Sequence, residues 1–364
     1  MRFDILERAV NDKSILKVAQ LAPAVRVSLG ELFGFEAGTI LTKKIVGALK
    51  ELGFDYVFDT SFGADVAIVE ESKELDERLK KGGIFPLINS CCPGTISFLE
   101  HSYPELVPNI ATVKSPMEVT GVLIKTYFAG KKKIHPEKIL SVAVMPCVIK
   151  KAEALRPELR MDGRLVVDGV LTTVELAELM KAKKIDLKKC KEMEFDSLLG
   201  VASGGGQIFG STGGVSEAAL RNYAYLNKVP IEKINTTQLR SFEGIREIEF
   251  SLNGQKIKIA IINSLRNANQ VLNDPDKLKE YTFIEIMACL GGCVGGAGQP
   301  MSTKEILEKR RAGLYKIDSE NKIKASSENP EVKRLYEEFL GSPRSRKAIR
   351  ALHTGFARTC LDCF

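Results

Sequence analysis

Short apolar runs alternate with stretches of helical spacing along most of this chain. Tyr56 to Asp59 predicts a strand, Glu70 to Lys81 a helix closed by Gly82-Gly83, and Ile84 to Ile88 a strand that runs into Asn89-Ser90-Cys91-Cys92-Pro93-Gly94. Upstream, the apolar segment Val25 to Leu29 follows Leu21-Ala22-Pro23-Ala24, and a helical pattern from Gly38 to Leu52 stops at Gly53. Downstream, Ser141 to Met145 predicts a strand ending at Pro146-Cys147, and Val166 to Leu171 a strand entering a helix through Thr172-x-x-Glu175, a capping box. Lys256 to Ile262 and Phe283 to Ala288 complete the strands expected between 139 and 289, after three or four in the first 135 residues. Alternation of this kind predicts crossover helices and mostly parallel sheets, whose ligand sites gather beyond the carboxyl ends of the strands. The expected fold is α/β: two lobes, 1–135 and 136–303, each a mostly parallel twisted sheet flanked by helices. The boundary falls near the basic loop Gly130 to Lys138, and a charged helical segment, 304–364, ends on Cys360-Leu361-Asp362-Cys363.

Composition narrows the classes. With 44% hydrophobic and 27% charged residues the chain reads as soluble and globular. No apolar run approaches a membrane span, and the amino terminus alternates charge with apolar residues at helical spacing rather than in the order of a secretory signal, which points to the cytoplasm. The net charge of +7 is spread over Lys131 to Lys133, Lys181 to Lys191 and Arg344 to Arg350. Two of these three read as solvated helix faces. No aromatic interleaving supports nucleic-acid binding, and an acidic protein partner fits the charge equally well.

The cysteines change the picture. Eight of them (91, 92, 147, 190, 289, 293, 360, 363) in a cytoplasmic chain suggest metal or redox chemistry. The three histidines lie far from any cysteine motif, which argues against histidine catalysis or ligation. From Glu285 to Pro300, EIMACLGGCVGGAGQP, an apolar strand delivers Cys289 and Cys293 into a glycine-rich loop. By itself that spacing is as much a hairpin with two buried cysteines as a site. Cys92 and Cys147 stand at equivalent strand ends, and four such thiolates suit zinc or an iron–sulfur cluster lying between the lobes. The long spacing differs from that of a zinc ribbon. Cys91 points opposite to Cys92 in extended backbone, and Pro93 suits the first position of a helix whose amino end favours thiolates. Lys150 could turn toward such a site or reach solvent. Glu71 and Glu74 share a helix face, most simply a solvated one. Ser203 to Gly210, SGGGQIFG, lacks the endings of phosphate-binding loops.

Taken together, NSCCPGT, MPCVIKKAE and EIMACLGGCVGGAGQP resemble the three signature segments of [FeFe]-hydrogenases, TSCCPxW, MPCxxKxxE and ExMACxxGCxxGGGxP. The likeness extends from about Leu21 to the region of His353. It implies an H-cluster: a [4Fe-4S] cubane held by Cys92, Cys147, Cys289 and Cys293, with Cys293 bridging to a two-iron unit carrying CO, cyanide and an azadithiolate. It further implies that Cys91 exchanges protons with that unit, that Lys150 hydrogen-bonds a cyanide, and that Pro23, Ala24, Met145, Pro146, Phe209 and Met287 line the cavity. Glu71 and Glu74 match the carboxylates of the family's proton path. The implied activity is reversible oxidation of H2 to protons, with electrons passing through the cubane to a ferredoxin-type carrier. The two-iron unit needs dedicated maturation enzymes, and without them only the cubane, or neither, is expected.

Departures from the pattern are also legible. Thr95 replaces a Trp, Asn89 a Thr, Ala24 a Ser and Ala297 a Gly; Ala111 stands where a serine links the two glutamates, and Met117 where a Gln is usual. They suggest a divergent subgroup and keep two alternatives open: an H2-sensing or low-activity regulatory member, and an iron–sulfur assembly or carrier protein with a [4Fe-4S] cluster only. No cysteine precedes Cys91, so no amino-terminal ferredoxin-like clusters are expected; the chain reads as one of the shortest members or as a core cut from a longer protein. Cys190 reads as structural or surface, and Cys360 and Cys363 as a dithiol or an incidental pair.

Overall fold

The computed structural model describes residues 12, 14–229, 237–241, 244–252 and 255–356. Its strands are β1 (Leu16–Leu21), β2 (Tyr56–Asp59), β3 (Leu87–Ile88), β4 (Ile139–Met145), β5 (Gly169–Thr172), β6 (Ile245–Leu252), β7 (Gln255–Asn263) and β8 (Phe283–Met287). Around them lie α1 (Thr42–Glu51), α2 (Thr60–Lys81), α3 (Pro93–Ser102), α4 (Pro116–Leu123), α5 (Thr173–Ala182), α6 (Gly214–Leu226), α7 (Lys304–Glu320) and α8 (Arg346–Leu352).

The strands form two sheets of order β2-β1-β4-β5 and β3-β8-β7-β6. The first is parallel throughout, and in the second only β6 runs antiparallel, to β7. The α/β class with mostly parallel sheets is therefore as expected. The boundary expected near 130–138 does not divide the sheets, since each takes strands from both sides of it. β1 and β2 pair with β4 and β5, while β3 crosses over to β8. Hydrogen bonding follows spatial neighbours, whereas a basic loop marks only a turn along the chain. Strand β4 is a nearly continuous apolar run because helices cover both faces of its sheet.

Three elements were invisible to the apolar pattern. Strand β1 carries Lys17 and Gln20, yet it is buried: Gln20 donates from Nε2 to Met117 O at 3.0 Å and accepts from Thr60 Oγ1 at 3.1 Å. Only the hydrogen bonds make those polar positions tolerable in a core strand. The helical reading of the amino terminus lies mostly outside the described residues, and where it overlaps β1 the chain is extended. Helix α2 begins ten residues before its expected start. From Thr60 to Val69 it is buried on every side, so it carries no amphipathic signal. Asp59 caps it, accepting from Ser61 N at 2.6 Å. Strand β6 pairs with β7 along its length, and Val25 to Leu29 folds as two short 3-10 turns. The Thr172–Glu175 capping box forms as expected.

Two apolar clusters hold the sheets. Val18, Leu21, Phe58, Val142 and Val144 pack with Phe62 and Ile68 of α2; Ile88, Ile262, Ile284 and Ile286 pack with Ile96 and Leu99 of α3. Each such side chain contributes about 1.5–3 kcal/mol on burial. The carboxyl-terminal helices clasp this body at two points. Leu307 and Leu314 of α7 pack against Ala24, Val27 and Val294. Next to α8, Thr354 N donates to Thr112 O at 2.8 Å and Lys114 N to Leu352 O at 2.8 Å.

Candidate metal centre

Strands β1, β3, β4 and β8, two from each sheet, end at one cavity. From β1 come Pro23 and Ala24, from β3 Cys91 and Cys92, from β4 Met145, Pro146 and Cys147, and from β8 Met287, Cys289 and, past a glycine turn, Cys293. Phe209, Lys150 and Met117 also line it. The cavity is ≈ 80 Å³ and overwhelmingly apolar. All four expected ligands, Cys91 and every expected cavity-lining residue thus surround one space.

The loop that carries Cys293 fits its place only with glycine. Gly292 has φ +84°, and a Cβ there would sit 2.7 Å from Thr212 N. The glycines of Ser203 to Gly210 serve packing instead: Ser203 caps a short helix, accepting from Gly206 N at 3.1 Å, and a Cβ on Gly206 would lie 2.5 Å from Ser61 O.

The six described cysteines are free thiols. Among the described residues no three His, Cys, Asp or Glu side chains converge closely enough to share one metal ion. A single zinc would need its sulfurs about 2.3 Å from one point. The four thiols instead surround a volume, which suits a cluster with an iron at each corner. The thiols also resist ionising together. Cys147 and Cys289 hydrogen-bond each other, which lowers Cys147 to about 6 and raises Cys289. Burial, with the charges of Cys92 and Cys147, pushes Cys293 up to about 12. Several thiolates in one dry pocket call for cationic iron among them.

Beside them Cys91 is buried from water and flanked by Cys92, Glu71 and Cys293, all of which raise its pKa, so it keeps its proton. The Asn89 amide donates to Cys91 Sγ at 3.1 Å, while its Oδ1 accepts from Ile286 N at 2.8 Å. Asn89, legible in the sequence only as a departure, therefore ties the thiol to β8. Lys150 Nζ donates to Cys91 O at 3.2 Å and pairs with Glu153 at 2.7 Å. Burial opposes its charge, but Glu153 and the thiols favour it, and its pKa is raised.

Glu71 and Glu74 are buried on α2 rather than solvated. Burial, then the Glu74 charge, pushes Glu71 up to about 8. Glu74 is buried too, yet its pKa is lowered: Thr112 donates to Oε2 from its hydroxyl at 2.7 Å and its N–H at 3.0 Å, and Arg78 donates to Oε1 at 2.7 Å. Two neighbouring carboxyls thus hold opposite protonation states at neutral pH. A stability effect follows. Unfolded, Glu71 titrates near 4.5; folded, about 8. Between these values the folded chain keeps a proton the unfolded chain releases, so stability contributed below pH 4.5 is lost as pH rises to 8, in total about 5 kcal/mol. Urea unfolding of the reduced, cofactor-free chain should show Glu71→Gln flattening this decline and exceeding the native chain in stability at pH 8. Equal slopes would mark Glu71 as an ordinary carboxylate.

Elsewhere, Cys190 is buried away from the cavity, with Sγ bonded to Asp186 O at 3.3 Å and Glu51 at 3.7 Å. Cys360 and Cys363 lie outside the described residues. Of the basic clusters, Arg344 turns inward to Glu74 and Glu77.

Residues 16–297 match the family described as iron only hydrogenase large subunit, C-terminal domain. The chain belongs to this family. Residues 304–358 match the iron hydrogenase small subunit, so sequences of both subunit types lie in one chain. Iron hydrogenase 1 of Clostridium pasteurianum is 40% identical over 362 residues; the match covers 96% of this chain and 62% of that protein's length. Cytosolic iron-sulfur assembly component 3 of Bos taurus is 30% identical over 370 residues, 96% of this chain and 75% of its own. Among solved structures, that of HydA(ΔEFG), which concerns stepwise [FeFe]-hydrogenase H-cluster assembly, superimposes with a TM-score of 0.84 at 36% identity over 97% of this chain and 98% of that one. The iron-only hydrogenase family carries the H-cluster with its [4Fe-4S] part, and the residues at this cavity fit it: four thiols around a volume, an apolar chamber beside them, and one ammonium and one thiol facing in. Among the described residues no helix is long and apolar enough to cross a membrane.

Proposed function

We propose that the chain is the catalytic core of an [FeFe]-hydrogenase that oxidises H2 and reduces protons reversibly, in the cytoplasm, where free thiols persist. The observation that carries this reading is the chamber beside the four ligand thiols. A cubane alone needs no Met145 and Met287 wall, no buried ammonium and no buried thiol, and all of these line the cavity. Cys92, Cys147, Cys289 and Cys293 would hold the cubane, with Cys293 bridging to the two-iron unit. When bound, the group supplies the site at which H2 is split or formed and the store for its electrons. Pro23, Ala24, Met145, Pro146, Phe209 and Met287 exclude water from it. Lys150 orients its anionic edge by a charge-assisted hydrogen bond from Nζ. Cys91 holds a proton at Sγ and passes it to Glu71, and Glu71 to Glu74 one turn along α2. Electrons exchange with a ferredoxin-type carrier, and maturation enzymes complete the cluster.

The decisive experiment is an infrared spectrum of the anaerobically matured protein in the window of metal-bound CO and cyanide. Bands that shift under H2 are expected. A second reading, an iron–sulfur assembly protein holding only a cubane, is favoured by the likeness to the Bos taurus protein. It requires iron with a blank window while a control hydrogenase matures. A sensory or low-activity member, suggested by Thr95, Ala111 and Met117, would show the bands with little turnover.

A further inference from the structure

The carboxyl-terminal segment brings a histidine to the outer end of the glutamate pair. His353 is pinned beside residues 112–114 by the backbone bonds described above, and its side chain is 4% exposed. Its Nδ1 lies 2.8 Å from Thr112 Oγ1, and its Nε2 lies 2.9 Å from Glu70 Oε2. Thr112 Oγ1 is in turn 2.7 Å from Glu74 Oε2. A continuous chain of hydrogen bonds therefore joins Glu70, His353, Thr112 and Glu74.

Counting hydrogens fixes one end of it. Glu70 already accepts from Tyr336 OH at 2.5 Å and from Arg344 N at 2.9 Å, so Nε2 donates to it. At the other end Thr112 has one hydroxyl hydrogen, which Glu74 Oε2 or Nδ1 can accept, and Arg344 Nη1 stands 3.3 Å from Thr112 Oγ1 and 3.4 Å from Nδ1, so the hydrogens on this stretch can run either way. The other charged groups facing this chain are Arg344, at 3.2 Å from Glu74 and 3.4 Å from Nδ1, Arg78 on Glu74, and Glu77 on Arg344.

We propose that His353, through Thr112, loads and unloads protons at the outer side of Glu74. The inference rests on the proposed function for the roles of Glu71 and Glu74. In the transfer, the Nδ1–H bond breaks as an O–H bond forms on Thr112, and the former Thr112 O–H breaks as one forms on Glu74 Oε2. The imidazolium becomes neutral, the carboxylate becomes a carboxylic acid, and no heavy atom need move. The reverse sequence carries a proton outward.

The test has two arms. In the cofactor-free chain, nitrogen NMR at neutral pH reads the His353 ring; only His101 and His135 accompany it, the latter with a side chain 62% exposed. The Nδ1 signal of the native chain should be matched in Thr112→Ser and displaced in Thr112→Val, which removes the hydroxyl partner. In the matured protein, His353→Gln should slow H2 evolution at least about tenfold and enlarge the solvent isotope effect, with the CO and cyanide bands unchanged. Thr112→Val should do the same and Thr112→Ser should retain the native rate. An Nδ1 signal that Thr112→Val leaves unchanged, or native turnover and isotope effect in His353→Gln, overturns the inference. If the matured native chain itself does not turn over, the proposed function has failed, and an Nδ1 signal indifferent to Thr112→Val still overturns the hydrogen-bond chain.

Discussion

Cys91→Ala should leave about one part in a hundred to one in ten thousand of the native turnover, the range expected when a positioned proton carrier is removed. The cluster should survive the change. Cys92, the neighbouring ligand candidate, faces the cavity through its own side chain, and the Asn89 bond to Ile286 N that fixes this turn does not involve the thiol. The lost group is a thiol held protonated beside Glu71, and the other described titratable side chains at the cavity wall are the four ligand thiols and Lys150, whose Nζ already donates to Glu153 and Cys91 O. The paired measurement is H2 evolution with a reduced dye alongside the infrared bands. Bands present with turnover near zero is the expected result. Bands present with native turnover would remove Cys91 from the proton path.

Cys289→Ala is expected to cost the cluster itself. Cys289 shares a hydrogen bond with Cys147 and sits between β8 and the Gly292 turn, where the backbone lies against Thr212 and has no room to shift. Of the two described cysteines outside the set, Cys190 is occupied at Glu51 and Asp186, and Cys91 is tied to the β3 turn by the Asn89 amide. Anaerobic reconstitution should therefore load about four irons per native chain and well under one per Cys289→Ala chain, by iron assay and visible absorbance. Cys190→Ala should load like the native chain. Full loading of Cys289→Ala would mean that the four thiols do not act as a set.

The sequence was most readable where a strand meets a turn. Phe283 to Ala288, Ser141 to Met145 and the end of Ile84 to Ile88 all announce themselves by apolar runs broken by Pro, Gly or Cys, and those breaks are the walls of the cavity. The unreadable parts share a different cause. Gln20 and the first half of α2 are buried in ways that erase periodicity, and Glu71 and Glu74, spaced like a solvated face, are covered by elements far along the chain. Thr112, Arg344 and His353 meet only because α8 docks beside residues 112–114. No local pattern encodes that contact, and the remoteness of histidine from every cysteine motif gives no sign of it.

The interlacing of the two sheets also sets a timetable for synthesis. Sheet β2-β1-β4-β5 has all its strands once residue 172 has been made, but β3 waits for β8, and Cys92 precedes Cys289 by about 200 residues. At roughly 5–20 residues per second that interval is on the order of 10–40 s. For that time Cys91 and Cys92 hang from an unpartnered strand with no chamber to hide them. A cluster offered to the growing chain before residue 293 would meet half a site.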